Sequence, residues 1–396
     1  MEKIKKWMPD KNSLYYAAFI IWFSCSMLFG RSTLRDLPGI QAAFWLKKVC
    51  YPICGMLILL VMFLSGFFDR PDRKKVREYL PAVLLAVLFG LSWMISGWGT
   101  YFMQLMFLIS AKEIDLRKLP RITLYVQLIV VALIISLSLT GVIENISYVY
   151  YRMNSIPVYR QALGFVHPNA LGAQVVQFGI VWLWIRWERW KWYDNAVYAL
   201  AAYSIFMVSN SVTSTLLIVL IPCIYFLYRL LLKRKHAGVL EGIMKACVPA
   251  VPILIMPLAY LCTETNEKLA VFDRIISWRL IMANRFLREY PASLLGRRIP
   301  SDAGTDLLYI DILVKYGGII LAVLVIGMYL LMKYAISKKM YPLVLSVFIY
   351  TFYGITEHYP YLLMYNFTLV YLVNVIYGGK DGTEKGIGEK GGRQPA

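Results

Sequence analysis

Apolar runs of about 17–25 residues recur along the chain, broken by short polar stretches, and that is the length a helix needs to cross a bilayer. The runs are continuous rather than alternating with period two. They therefore predict helices and exclude an outer-membrane barrel. The pattern predicts about twelve spans, near 13–30, 50–68, 80–95, 98–111, 121–143, 168–187, 193–209, 212–232, 245–262, 307–332, 341–356 and 360–378. The third and fourth nearly meet at Ser96, Gly97, Trp98 and Gly99. So many spans leave no room for a large soluble domain. The expected fold is all-α: one polytopic membrane domain over 1–378.

Two stretches between spans exceed connection length, about 144–167 and 263–306. Long loops in compact proteins usually carry function, and these are rich in Tyr, Trp, Ile and Arg. Within the second, 271–290 has helical periodicity, with Ile276, Leu280, Ala283 and Phe286 on one face and Arg274, Arg285 and Arg288 on the other. This predicts an amphipathic helix on the membrane surface. Arg279 breaks the pattern by falling on the apolar face. A guanidinium there requires a partner, either a protein carboxylate or a ligand anion. The tail 379–396 is Gly-rich and charged, cannot bury a core, and is expected to be disordered.

Composition agrees. Of 396 residues, 59% are hydrophobic and only 16% charged, which fits a bilayer better than water. The net charge of +19 would point to nucleic acid on a soluble protein. Here Lys and Arg are about twice as frequent in alternate loops, which places both termini and the basic loops 69–79 and 233–238 in the cytoplasm; no nucleic-acid partner is expected. The long loops then lie outside. No cleavable leader is visible after the basic start, so the first run reads as an anchor. The six cysteines lie in or beside apolar runs without a CxxC pair, which predicts buried thiols rather than a metal site. No P-loop, dinucleotide glycine pattern, GxSxG, HExxH or external DxD occurs. No internal repeat is visible, which disfavours transporter folds built from duplicated halves.

The chemistry concentrates in three outer stretches. In RQALGFVHPNALG, Arg160 to Gly172, Pro168 suits a first helical turn, so His167 and Asn169 sit at a helix N-terminus. They either cap it or help form an anion site with its free N–H groups and dipole, with Arg160 folding back over them. Asp306 stands before the tenth span, where it can cap the helix or act as a general base. Asp311 and Lys315 are spaced for an intrahelical ion pair. In TEHYP, Glu357 and His358 are ionisable groups at the membrane edge.

The order R…LGFVHPNALG, then a serine–arginine segment leading to YPASLLG, then D-x-x-Y…YGGII, resembles the Wzy-type bacterial polysaccharide polymerases of the O-antigen polymerase/ligase family. The resemblance covers roughly 160–318 and the multi-span layout. It implies a metal-independent, cofactor-free inverting glycosyl transfer at the outer face of the cytoplasmic membrane. Donor and acceptor are then oligosaccharides on undecaprenyl diphosphate, with membrane lipid, chain-length regulator and flippase proteins as partners. It implies that Arg160 and Arg279 hold the diphosphate, with His167, Asn169 and Tyr309 completing that site. Asp306 is the first candidate base, ahead of Glu357 and His358. Two departures stand out: Asp306 is followed by Leu307 where relatives commonly have Asn, and Ser277-Trp278-Arg279 replaces a more usual Ser-Gly-Arg. An O-antigen-ligase-like transfer to another acceptor and a lipid-linked oligosaccharide flippase are the alternatives.

Overall fold

The computed structural model describes residues 10–37, 41–69, 72–151, 157–263 and 266–378. The tail 379–396, and 152–156 and 264–265 of the two long loops, lie outside the described residues. The helices are α1 (Lys11–Gly30), α2 (Gln41–Leu64), α3 (Arg73–Ser96), α4 (Thr100–Ser110), α5 (Leu119–Leu139), α6 (Pro168–Arg186), α7 (Trp192–Ser209), α8 (Val212–Lys233), α9 (Ala237–Leu261), α10 (Glu267–Ile275), α11 (Arg279–Glu289), α12 (Leu308–Lys315), α13 (Gly318–Ser337), α14 (Tyr341–Tyr353) and α15 (Val373–Ile376). Six are long and apolar enough to cross a membrane: α1, α3, α5 with its one-turn lead-in, α8, α9 and α13. Their outward faces are greasy, since Leu84, Ile129, Leu216 and Leu254 are each more than half exposed. Glutamines face inward instead. Across the α5–α6 contact, Gln127 Nε2 donates to Gln174 Oε1 at 2.8 Å and to its backbone carbonyl at 2.7 Å. Apolar surface outside and polar side chains inside is the arrangement a lipid solvent selects. The protein is a membrane-embedded helical bundle.

Three of the predicted spans are short, divided or irregular. The fourth is α4, with 11 residues, or about 16 Å of helix against a hydrocarbon core of about 30 Å. The tenth is divided at Tyr316-Gly317 into α12 and α13. The twelfth is not one helix: Tyr359–Tyr361 and Phe367–Leu372 are 3-10 turns followed by the short α15. Irregular backbone survives at membrane depth only where protein satisfies it, and here side chains do so. Asn366 Nδ2 donates to the Pro360 carbonyl at 2.7 Å, the Tyr350 hydroxyl donates to the Tyr365 carbonyl at 2.7 Å, and Gln174 Nε2 donates to the Met364 carbonyl at 3.2 Å. Residues 359–373 are all buried.

Two expectations for the long loops need correction. The first contains sheet: β1 (Ser147–Tyr151) and β2 (Pro157–Gln161) form an antiparallel hairpin with Tyr148 opposite Arg160. Alternating burial along β2 follows its period-two pattern. In the second loop the single amphipathic helix is broken. Ser277 (φ 62°) and Trp278 (φ 64°) both adopt left-handed backbone, ending α10 and starting α11. The buried Asp273 carboxylate accepts from the N–H groups of Leu280 (2.7 Å) and Ile281 (3.0 Å), capping α11 across the break. α11 is docked to the end of α9, where Asn284 Nδ2 donates to the carbonyls of Ala259 (3.1 Å) and Tyr260 (2.7 Å). Arg274, Arg285 and Arg288 are exposed, as their helix face predicts. All six cysteines are free; Cys25, Cys54 and Cys262 are buried, whereas Cys223 is exposed.

The α12–α13 joint depends on glycine. Gly317 has φ 100°, and a Cβ there would lie 2.3 Å from the Leu294 carbonyl oxygen. The close approach lets Gly318 N donate to Ser293 O (2.8 Å) and Ile319 N to Leu294 O (3.1 Å), so backbone from the preceding loop caps α13. Gly317→Ala is expected to lower stability by about 2 kcal/mol or more, from left-handed strain plus the clash. Gly318→Ala, whose Cβ would meet nothing closer than 3.6 Å, should change it little. Thermal unfolding in detergent checks the pair; equal effects contradict the joint's role.

Candidate functional site

One end of the bundle gathers the C-terminal ends of α1, α7, α9 and α14 with the N-terminal ends of α6 and α12. Two backbone links, Val166 N to Arg31 O (3.1 Å) and Leu308 N to Gly354 O (3.0 Å), tie these ends together. The hairpin delivers Arg160, whose Nε donates to the Ser209 carbonyl at the end of α7 (2.8 Å) and whose Nη2 donates to Asn169 Oδ1. Asn169, in the first turn of α6, passes the contact on, with Nδ2 donating to Glu357 Oε1 at 2.7 Å. The same carboxylate oxygen accepts from Arg279 Nη2 at 3.1 Å. The other terminal nitrogen of Arg279, Nη1, pairs with Asp306 Oδ2, and His358 Nδ1 lies 3.7 Å from Asp306 Oδ1. A continuous chain thus runs Arg160–Asn169–Glu357–Arg279–Asp306, with His358 beside its end, through four segments distant in sequence.

The partner that Arg279 requires is therefore present in the protein, as two carboxylates. They differ in setting. Glu357 is almost fully buried, whereas the Asp306 side chain is 40% exposed. Polar capacity is left over: among the described residues, Glu357 Oε2 and Arg279 Nε are buried without a hydrogen-bond partner, which is unusual for native structure.

Burial dominates the electrostatics. It pushes the Glu357 carboxyl up to about 7 against the opposing pull of Arg279 and Arg160. It pushes His358 down to about 3, with Arg31 as the next contributor, and His167 down to about 4, with Arg160 and Arg279 adding to the effect. Both histidines are thus uncharged at neutral pH, and the Glu357 proton is shared between its two states there.

Other expected residues take different positions. His167 is a cap: its Nδ1 accepts from Asn169 N at 3.1 Å, and its ring lies 5.2 Å from that of Tyr148. Asp306 does not cap α12, whose preceding residue is Leu307; the pull of Arg279 takes its carboxylate away. Tyr309 is fully buried, and its hydroxyl donates to the Thr351 carbonyl at 2.7 Å. It packs beneath the cluster and does not reach it, because a buried phenol satisfies itself on the nearest carbonyl. Asp311 and Lys315 do pair, at 2.7 Å.

Beside the chain lies a cavity of about 740 Å³. Arg279, Asp306, His358, Lys315 and Asp311 line it, as does Arg31, which no sequence motif singles out. A second cavity of about 430 Å³, with almost wholly apolar walls, lies between α3, α4 and α13 against the irregular last segment. The two share one wall residue, Tyr101. A space with cationic and carboxylate walls therefore adjoins one suited to hydrocarbon. Among the described residues, no group of three or more His, Cys, Asp or Glu is placed to hold a metal ion. The chain matches no family model, no curated protein and no solved structure.

The raised Glu357 has a measurable consequence. A carboxyl that is harder to ionise folded than unfolded favours the native state below its unfolded value near 4.5, and that contribution is lost as pH rises to about 7. The two histidines act oppositely, losing stability as pH falls below about 6.5. Glu357→Gln removes only the first effect. The stability of this variant relative to wild type should therefore rise between pH 5 and 7.5 and level off above. A pH-independent difference in thermal midpoint contradicts the assignment.

Proposed function

We propose that the protein joins lipid-diphosphate-linked oligosaccharide repeat units into a surface or capsular polysaccharide, by inverting glycosyl transfer at the outer face of a bacterial cytoplasmic membrane. The observation that carries the reading is the adjacency of the two cavities at Tyr101. A substrate with a polyanionic head and a long hydrocarbon tail fits that pair of spaces. The order of motifs from Arg160 to Gly318, which resembles Wzy-type polymerases, supports the same reading.

The chemistry follows from the cluster. The acceptor hydroxyl oxygen attacks the anomeric carbon of the donor, and the bond from that carbon to the diphosphate oxygen breaks. The electron pair leaves with the lipid diphosphate, and the hydroxyl proton passes to a carboxylate. Developing negative charge on the leaving group needs donors, and a guanidinium supplies two in a fork matched to phosphate oxygens. Arg279 is the first of these, and Arg160 braces it through Asn169 and Glu357. For Arg279 to take phosphate, Asp306 must give up its ion pair. The diphosphate then frees a partly exposed carboxylate beside the reacting centre, where it serves as the base. Glu357, buried behind Arg279, is a positioning residue. His358 remains neutral beside Asp306, and His167 holds Asn169 in place through its backbone. No cofactor enters this scheme.

Reconstitution with a purified undecaprenyl-diphosphate oligosaccharide tests it. The expected product is a ladder of longer glycans on lipid. Transfer to a foreign acceptor alone means a ligase, and movement of the lipid across vesicles without any new glycosidic bond means a flippase. Asp306→Asn and Arg279→Ala should each slow ladder formation by about 100-fold or more, in line with loss of a base or of an oxyanion donor. Arg285→Ala, on the exposed face of α11, should stay within a few-fold; equal losses at Arg279 and Arg285 contradict the assignment.

A further inference from the structure

Arg31 follows the last residue of α1, and its backbone is held on two sides. Its N–H donates to the Met27 carbonyl and its own carbonyl accepts from Val166 N, each at 3.1 Å. The next residue, Ser32, forms an isolated bridge with Phe165, and Thr33 N donates to the Gly164 carbonyl at 2.9 Å. The half-buried side chain lies in the wall of the polar cavity. Its guanidinium carbon sits 5.6 Å from the Tyr359 ring centroid and 6.0 Å from that of Tyr365. The other basic residues of that wall are already matched, Arg279 by Asp306 and Glu357 and Lys315 by Asp311. Among the described residues, Arg31 is given neither a carboxylate nor a hydrogen bond to its guanidinium.

A position at a helix C-terminus favours any cation. It does not account for a guanidinium set beside two aromatic rings on the wall of a cavity. Ring contacts engage the faces of the group and leave its in-plane N–H donors available. Those donors are not buried; they face the cavity, where an anion can reach them and supply acceptors.

We propose that Arg31 is an anion-binding residue of the substrate site, taking a phosphate of the lipid-linked diphosphate in the cavity whose wall it shares with Arg279 and His358. The proposal rests on the diphosphate reading given above. It adds a residue from α1, so that the head group is gripped from α1 and α11 at once. Arg279 must exchange a carboxylate to bind phosphate, whereas Arg31 has none to exchange. Arg31 therefore makes the first contact.

The test uses the full chain in detergent, with farnesyl diphosphate as probe and farnesol as the uncharged control, followed by calorimetry. Wild type should bind the diphosphate and not the alcohol. Arg31→Ala should weaken diphosphate binding at least tenfold while leaving the ligand-free unfolding midpoint close to wild type. Should the alanine variant fold poorly, Arg31→Met keeps the aliphatic stem over the rings and should show the same loss. Diphosphate binding that is unchanged in either folded variant, yet lost in Arg279→Ala, overturns the role of Arg31 and leaves the diphosphate reading standing. Absence of binding to wild type overturns that reading itself.

Discussion

The polar cluster at this end of the bundle converges on a single oxygen atom, Oε1 of Glu357. It accepts from Asn169 at the start of α6 and from Arg279 at the start of α11. A carboxylate this deeply buried is unfavourable unless its partners are in place, and each partner is equally constrained by the carboxylate. The short segment after α14, the hairpin that brings Arg160, and the paired helices α10 and α11 must therefore arrive together. Even so, the carboxyl is held near neutrality rather than fully ionised, because burial outweighs the attraction of two arginines. Stability alone rarely selects such an arrangement, since a hydrophobic replacement often does as well. A polar cluster retained at this cost, with unused donors and acceptors and a cavity beside it, is what a binding site for a charged ligand requires.

The rest of the architecture serves the same end. The last predicted span gives up helix so that its backbone can pass beneath the cluster, and glutamine, asparagine and tyrosine side chains supply the hydrogen bonds it forfeits. That irregular segment also forms part of the apolar cavity, through Tyr361, Leu369 and Leu372. The polar and apolar spaces thus share structural material, and the geometry of one constrains the other. At the opposite end of the bundle the charges are arranged differently. Arg186, Trp182 and the Lys191 N–H converge on the fully buried Asp194, which closes the α6–α7 turn.

Much of the cluster was legible because ionisable residues are expensive in an apolar chain. Arg160, Arg279, Asp306, Glu357 and His358 stand out on that ground, and the structure brings all five together. Tyr309 was indistinguishable by type from many other tyrosines; its position is decided by the nearest free carbonyl, which no sequence pattern reveals. The break at Ser277-Trp278 was hidden because neither residue favours left-handed backbone. A glycine would take the φ of 64° found at Trp278 without strain, and with a tryptophan there the sequence carries no sign of the kink. The hairpin leaves little trace in the sequence, because Tyr148, Val149 and Tyr159 are all exposed and no apolar face alternates cleanly with a polar one. Arg31 carries no motif, and nothing in the sequence links the end of α1 to Tyr359 and Tyr365, whose rings it meets only in the fold. Helix lengths followed the apolar runs except where buried side chains could replace the helical hydrogen bonds.

The proposed exchange is of a protein carboxylate for a diphosphate at Arg279, in the polar cavity that shares Tyr101 with the apolar one. It is tested most directly by an experimental structure of the protein in nanodiscs with undecaprenyl diphosphate. The account predicts the two phosphates between Arg31 and Arg279, the Arg279–Asp306 pair opened, and the prenyl chain leaving past Tyr101 between α3, α4 and α13. A lipid bound elsewhere, with Arg279 still clamped between Asp306 and Glu357, would contradict it.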